Sequence, residues 1–417
     1  MKQVELSPQP DGAAARRPIS AGTVRASREA SLGLLWIGFV LIALNQRLLF
    51  AAIGPLLKNL ELGFTSTLLV TTLPVALLGL FSIPGVKLRQ WLGEERALLL
   101  ALALLIVGCG ARAFGEQALI LGTVLGSAGI AVMNVIMPAL AKKRFGPARM
   151  GMVMGVYALM LGAGAVLGAS ASFPLFQWLG ADTASAYRSL GLWAIPAVLA
   201  LMFWLPQWRQ RHDPAGGPGL AAGHAVAPVN VYRNRTAWSI TLFFGLQVMN
   251  LFVFLPWMPT MLQDRGATLA RAAQVFSVSQ VSLMVASFVI PLLASRTGDQ
   301  RRYIALTILL CLAGVVGLMV APPSSAIGWA LLLGFGQGGG VALASFLFVA
   351  KAGSADAATR ISAMAQTVGY LIAVTGPLAI GYLYQRTGDW SVPTVLLVGA
   401  LLVELVVCVP GGKNVKV

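Results

Sequence analysis

Residues 207–236 read QWRQRHDPAGGPGLAAGHAVAPVNVYRNRT, a long polar run rich in Gly and Pro in a chain that is otherwise largely apolar. Its position decides the architecture, because apolar stretches of membrane-spanning length fall six before it and six after it. They lie at 31–57, 66–88, 97–114, 117–141, 149–173 and 187–206, then at 237–260, 271–293, 302–321, 325–350, 360–384 and 391–410. About 20 helical residues cross roughly 30 Å of hydrocarbon, so each stretch can span a bilayer. The composition agrees: 57% hydrophobic residues, 11% charged and a mean hydropathy of +0.80 lie far outside soluble usage. The stretches are continuously apolar instead of alternating, which excludes a porin-like barrel. The sequence therefore predicts an all-α membrane protein of twelve transmembrane helices. A cytoplasmic tail at 1–30 precedes an N-terminal six-helix bundle at 31–206; a cytoplasmic linker at 207–236, a C-terminal bundle at 237–410 and a tail at 411–417 follow.

The 417 residues carry 30 Lys and Arg against 14 Asp and Glu, a net charge of +16. These cations concentrate in alternate connections, 23 on one side and 6 on the other, which by the positive-inside rule predicts both termini in the cytoplasm. The charge is thus a topology signal and no nucleic-acid partner is implied. The runs 142-KKRFGPAR-149 and 209-RQRH-212 read as orientation determinants and contacts to anionic lipid, with no protein partner needed and a monomer expected. Before Leu32 there are Arg16, Arg17, Arg25 and Arg28 but no apolar stretch, so a cleavable signal peptide is not expected and 1–30 reads as a mobile tail. Cys109, Cys311 and Cys408 are scattered in apolar runs, and His212 and His224 share the linker. That leaves no material for a metal site, a catalytic triad or a cofactor; the chain does not read as an enzyme.

Sliding the second half by 205 positions places Asn250 on Asn45 and Gly298-Asp299-Gln300-Arg301 on Gly93-Glu94-Glu95-Arg96. Parallel six-span repeats set a substrate path between the halves, near the midplane. The loop 85-GVKLRQWLGEER-96 and its echo 291-PLLASRTGDQRR-302 resemble the signature loops of the major facilitator superfamily. The acid expected three residues before the second glycine is Gln90 here, and Ser295 in the echo, so no gating salt bridge is built on that position. The stretches 45-NQRLLFAAIGPLL-57, 71-TTLPVALLGL-80, 95-ERALLLALALLIVG-108, 128-AGIAVMNVIMPALAKKRF-145 and 192-LWAIPAVLALMFWLP-206 resemble, in the same order, the cyanate and nitroimidazole porter family. That resemblance implies a multi-pass carrier of a bacterial-type cytoplasmic (inner) membrane, working by alternating access. Gly93, Arg96, Gly298 and Arg301 would belong to its gating loops. Its small-molecule substrate would be cyanate or a similar monoanion.

Arg47 is the one cation well inside a span, and placing it there costs about 2.5–3.5 kcal/mol on insertion scales. Guanidinium does not escape by losing its proton. Facing a watery path, it would give charge-assisted hydrogen bonds to a small anion; the blander readings are a structural pair or a side chain reaching the interface. Asn45, some 200° away around an ideal helix, is either a substrate contact or an interhelical hydrogen bond. Gln247 and Asn250 share a face and suit a polar cavity wall, as do Asn134 in the fourth span and the pair Gln366 and Tyr370 in the eleventh. Tyr157, Gln280 and Gln337 read as packing or backbone-bonded groups. Glu404, the one acid inside a span, is placed by its register near the cytoplasmic headgroups. Two rivals stand beside the anion carrier. One is an exporter of drug-like compounds using Met133, Met160, Met249, Phe252 and Trp257, and the other is a membrane sensor, for which the chain offers no sizeable cytoplasmic domain.

Overall fold

The computed structural model describes residues 21–57, 59–145, 149–209 and 230–417. Within them the chain is helical: α1 Ala21–Ala51, α2 Phe64–Leu92, α3 Glu94–Ala111, α4 Glu116–Phe145, α5 Met150–Trp178, α6 Thr183–Gly191 and α7 Ala194–Trp204 form the first half. The second half holds α8 Arg235–Asp264, α9 Leu269–Ala294, α10 Arg301–Val320, α11 Ala326–Ala350, α12 Ala355–Thr387 and α13 Ser391–Cys408. Eleven segments among the described residues are long and apolar enough to cross a membrane. The remaining long helix, α2, runs 29 residues with Pro74 and Pro84 inside it. His212, His224, residues 1–20 and most of the 207–236 linker lie outside the described residues.

Local chemistry explains where the helices depart from the expected spans. The sixth stretch is two helices, because Pro196 has no N–H and its ring opposes the carbonyl four residues back, at Leu192. The turn is closed instead by Ile195 N–H donating to Leu192 O at 3.0 Å. α1 begins at Ala21, ten residues before the expected start at 31, and stops at Ala51; a 3-10 turn at Gly54–Leu56 follows, where Pro55 again removes a donor. Buried hydroxyls fold back on their own helices, as when Ser82 donates to Leu78 O at 2.6 Å and Ser127 to Thr123 O at 2.6 Å.

The packing repeats between halves. α1 lies against α5 and α7 as α8 lies against α12 and α13; α3 meets α4 and α7 as α10 meets α11 and α13; α2 meets α4 as α9 meets α11. Helices in lipid gain nothing from hiding apolar surface from each other, so close approach of backbones supplies the attraction. Gly164 and Gly168 let α5 touch the Leu44 and Leu48 carbonyls of α1, and Gly245 meets Gly369 where α8 crosses α12. The halves join along two seams related by the repeat, α2 on α12 and α5 on α9.

Candidate functional site

About half of the positions of α1 between 33 and 51 are buried, and accessible ones recur at helical spacing, exposed at 33 and 37 and half-buried at 40, 44, 47 and 51. Arg47 is the only charge on that stripe. Among the described residues its guanidinium has no hydrogen bond and no ion pair. Two buried phenols lie within electrostatic range of it, Tyr157 of α5 in its own half and Tyr370 of α12 in the other. Tyr157 donates its hydroxyl to Gln46 Oε1 at 2.7 Å, while the Gln46 amide nitrogen is buried without a partner. Tyr370 packs edge-on against Phe244, centroids 5.5 Å apart, and its hydroxyl has no hydrogen-bond partner among the described residues. Arg47 of the first half and Tyr370 of the second thus each carry a polar group without a hydrogen-bond partner among the described residues.

The other residues expected in the site are mostly engaged elsewhere. Asn45 is 2% exposed and donates to Leu41 O at 2.8 Å and to Pro196 O at 3.1 Å, tying α1 to α7. Gln247 is fully buried; its amide donates to Glu404 Oε1 at 2.9 Å. Asn250 accepts from the Gln337 amide at 2.6 Å, joining α8 to α11. Asn134 is half-buried, and its carbonyl receives Gln366 Nε2 at 3.0 Å and Ser362 Oγ at 3.4 Å across the interface of the halves. Glu404 does not reach headgroups: it is 0% exposed, because α13 turns that face onto Gln247 of α8. Gln46 carries no mark in the sequence beyond its place beside Arg47, and its role appears only once Tyr157 reaches it.

A latch joins the halves at the end carrying Gly93 and Gly298. Gly93 leaves α2 with φ +81°, where a side chain is strained, and lets Glu94 and Glu95 open α3 at its positive pole. Glu94 receives Arg89 at 2.8 Å and Lys143 at 3.2 Å, and Glu95 pairs with Arg144. Arg89 also reaches Asp356, in the first turn of α12, at 3.2 Å. So no acid stands at Gln90, and the inter-half pair runs the other way, with the cation on the first half and the acid on the second. Lys142 donates to Val349 O at 2.9 Å and to Ala352 O, meeting the carbonyl end of α11. Arg96 is exposed, outside this network. In the echo loop Arg301 pairs with Asp299 at 2.6 Å, and its hydrogen bonds hold that carboxyl down at about 2. Lys351 donates to Gly298 O at 3.2 Å and Gly412 O at 3.0 Å; burial lowers its pKa, against the pull of Asp299.

Two repeated helical halves in a multi-pass membrane chain, with polar groups of both turned toward one another, define a membrane transporter. The chain belongs to the major facilitator superfamily, whose family model matches residues 35–377. It is accordingly a transporter and not an enzyme. It is 34% identical over 387 residues to the 2-nitroimidazole transporter of Escherichia coli (strain K12), covering 91% of this chain and 94% of that one. It is 29% identical over 378 residues to the cyanate transport protein CynX of the same organism, covering 88% and 95%. Among solved structures, the E. coli fucose:proton symporter FucP superposes with a TM-score of 0.70 at 13% identity, over 91% of this chain and 98% of that one, a likeness of fold.

Proposed function

We propose that the protein carries a small monoanion across a bacterial inner membrane by alternating access, with Arg47 as the substrate anchor. The observation that carries this reading is the guanidinium on the accessible stripe of α1, without a partner among the described residues and within electrostatic range of phenols from both halves. A fixed cation inside a membrane domain, lacking a protein counter-ion, is balanced when a substrate anion supplies the charge. Tyr370 adds a hydroxyl from the second half, so one ligand touches both halves and links binding to their movement. The relatives include a cyanate transport protein, which supports a monoanionic cargo. With the Gly93 and Gly298 loops in the cytoplasm, the latch of Arg89, Asp356 and Lys142 is the closed cytoplasmic gate.

The relative named as a 2-nitroimidazole transporter supports a second reading, export of a nitroaromatic compound whose nitro oxygens accept from Arg47. One experiment separates them. In proteoliposomes, Arg47→Gln removes a charge-assisted contact of about 1.5–3 kcal/mol, so anion affinity falls roughly 10–100-fold. Cyanate uptake unchanged by the substitution refutes the anchor. Thermal stabilisation of the purified protein by 2-nitroimidazole and not by cyanate favours the second reading.

A further inference from the structure

The helix that carries Arg47 is held at its far end by another cation, and this one is fully buried. α1 stops at Ala51, and Ala52 N–H still reaches Leu48 O at 3.1 Å. The next carbonyl, Leu49 O, receives no backbone donor among the described residues. It accepts instead from Arg112 Nη1 at 2.8 Å. Arg112 stands just past the end of α3 and is 0% exposed. No carboxylate pairs with it among the described residues, and its Nε and Nη2 are buried without partners. The surrounding helices make room for it: on α4, a side chain at Gly122 would meet Arg112 Cγ at 2.9 Å. What faces the charge is the carbonyl end of α1, the negative pole of that helix.

A neutral amide would serve as a cap at far smaller desolvation cost than a permanent charge. The charge therefore asks for a reason beyond capping, and Leu49 is only two residues beyond Arg47. We propose that Arg112 is a positioning residue for the substrate anchor: it fixes the carbonyl end of α1, and so the place of Arg47, and its unbalanced charge adds to the positive potential that an entering anion meets. This rests on Arg47 being the anchor.

The test uses the full chain with Cys109, Cys311 and Cys408 replaced by alanine and Arg47→Cys as the reporter. Position 47 is titrated in proteoliposomes with an anionic and a cationic methanethiosulfonate of similar size. With Arg112 present the anionic reagent reacts several-fold faster than the cationic one; R112Q, which can still donate to Leu49 O, abolishes that preference, and R112K keeps it. A purely structural cap would change both reagent rates together and leave their ratio alone. In protein retaining Arg47, R112Q raises the KM for cyanate roughly tenfold at unchanged kcat, and R112K restores it to within threefold. A reagent ratio indifferent to R112Q overturns the proposal, as does a loss of preference in R112K equal to that in R112Q. Should R112Q not fold, the R112K ratio decides: preference kept supports the proposal, preference lost overturns it. Failure of the anchor itself shows differently, as cyanate uptake unaffected by Arg47→Gln while the reagent preference persists.

Discussion

Gln247 and Glu404 show how much a single polar contact does inside a membrane bundle. Glu404 is fully buried on α13, and the amide of Gln247 at 2.9 Å is its one hydrogen-bond donor among the described residues. Replacing Gln247 with leucine leaves the acid without a donor, at an expected cost of about 1–3 kcal/mol. Glu404→Gln keeps an acceptor for Gln247 and should cost less. Thermal unfolding in detergent checks this: the first variant melts several degrees lower than the second, and equal melting points would show that the contact is not what holds α13. Arg47 was legible in the sequence because an ionisable group in a span is rare. Gln46 was not, since an amide beside a charge has no signature until Tyr157, 111 residues on, bonds to it at 2.7 Å. Gln247 and Asn250 share a face as their spacing requires, but that face meets α11 and α13 and is spent on bonds within the half.

At the scale of elements, glycine decides which helices touch. A side chain at Gly164 would collide with the Leu44 carbonyl of α1, backbone that has no room to yield. Gly399, in the middle of α13, has nothing within 4 Å. Gly164→Ala should therefore separate α1 from α5, lower thermal stability and depress transport, whereas Gly399→Ala should be neutral or stabilising by up to about 1 kcal/mol through helix propensity alone. Melting temperatures of the two variants, measured side by side, test the pair; a harmless Gly164→Ala contradicts the close approach. The spans themselves were readable from hydropathy, because length and apolarity are summed over some twenty residues and tolerate local exceptions. Their internal breaks were harder to read. Proline interrupts α6–α7 at Pro196 but sits inside α2, α4, α5, α8, α9 and α12, and which outcome occurs depends on what else satisfies the freed carbonyl.

For the whole molecule, the proposed mechanism makes the controlling variable the balance between the contacts at the Gly93 end and whatever the substrate contributes between the halves. Arg89 and Asp356 form a partly exposed pair at 3.2 Å, worth about 1 kcal/mol or less. Asp356→Asn should consequently shift the population of latched molecules by no more than roughly 5-fold. A cysteine at Asn134, whose carbonyl lies on the latched seam, should react correspondingly faster with an impermeant thiol reagent offered from the side of the Gly93 loop. An unaltered rate would mean that Lys142 and the α2–α12 seam hold that end closed without the ion pair.

By itself the sequence determined the membrane class, the run of spans, the two-fold repeat and the one conspicuous intramembrane cation. All of these are properties of composition or spacing along one chain, so they survive without knowledge of which helix lies beside which. Only the tertiary structure decided which polar groups tie helices together and which stand without a partner among the described residues. It paired Asn45 with Pro196, Gln247 with Glu404 and Arg112 with Leu49, and it left Arg47 without a partner among the described residues. The physical reason is that a buried polar group takes its meaning from its hydrogen-bond partner, and in a bundle that partner lies on a different helix, often more than a hundred residues away.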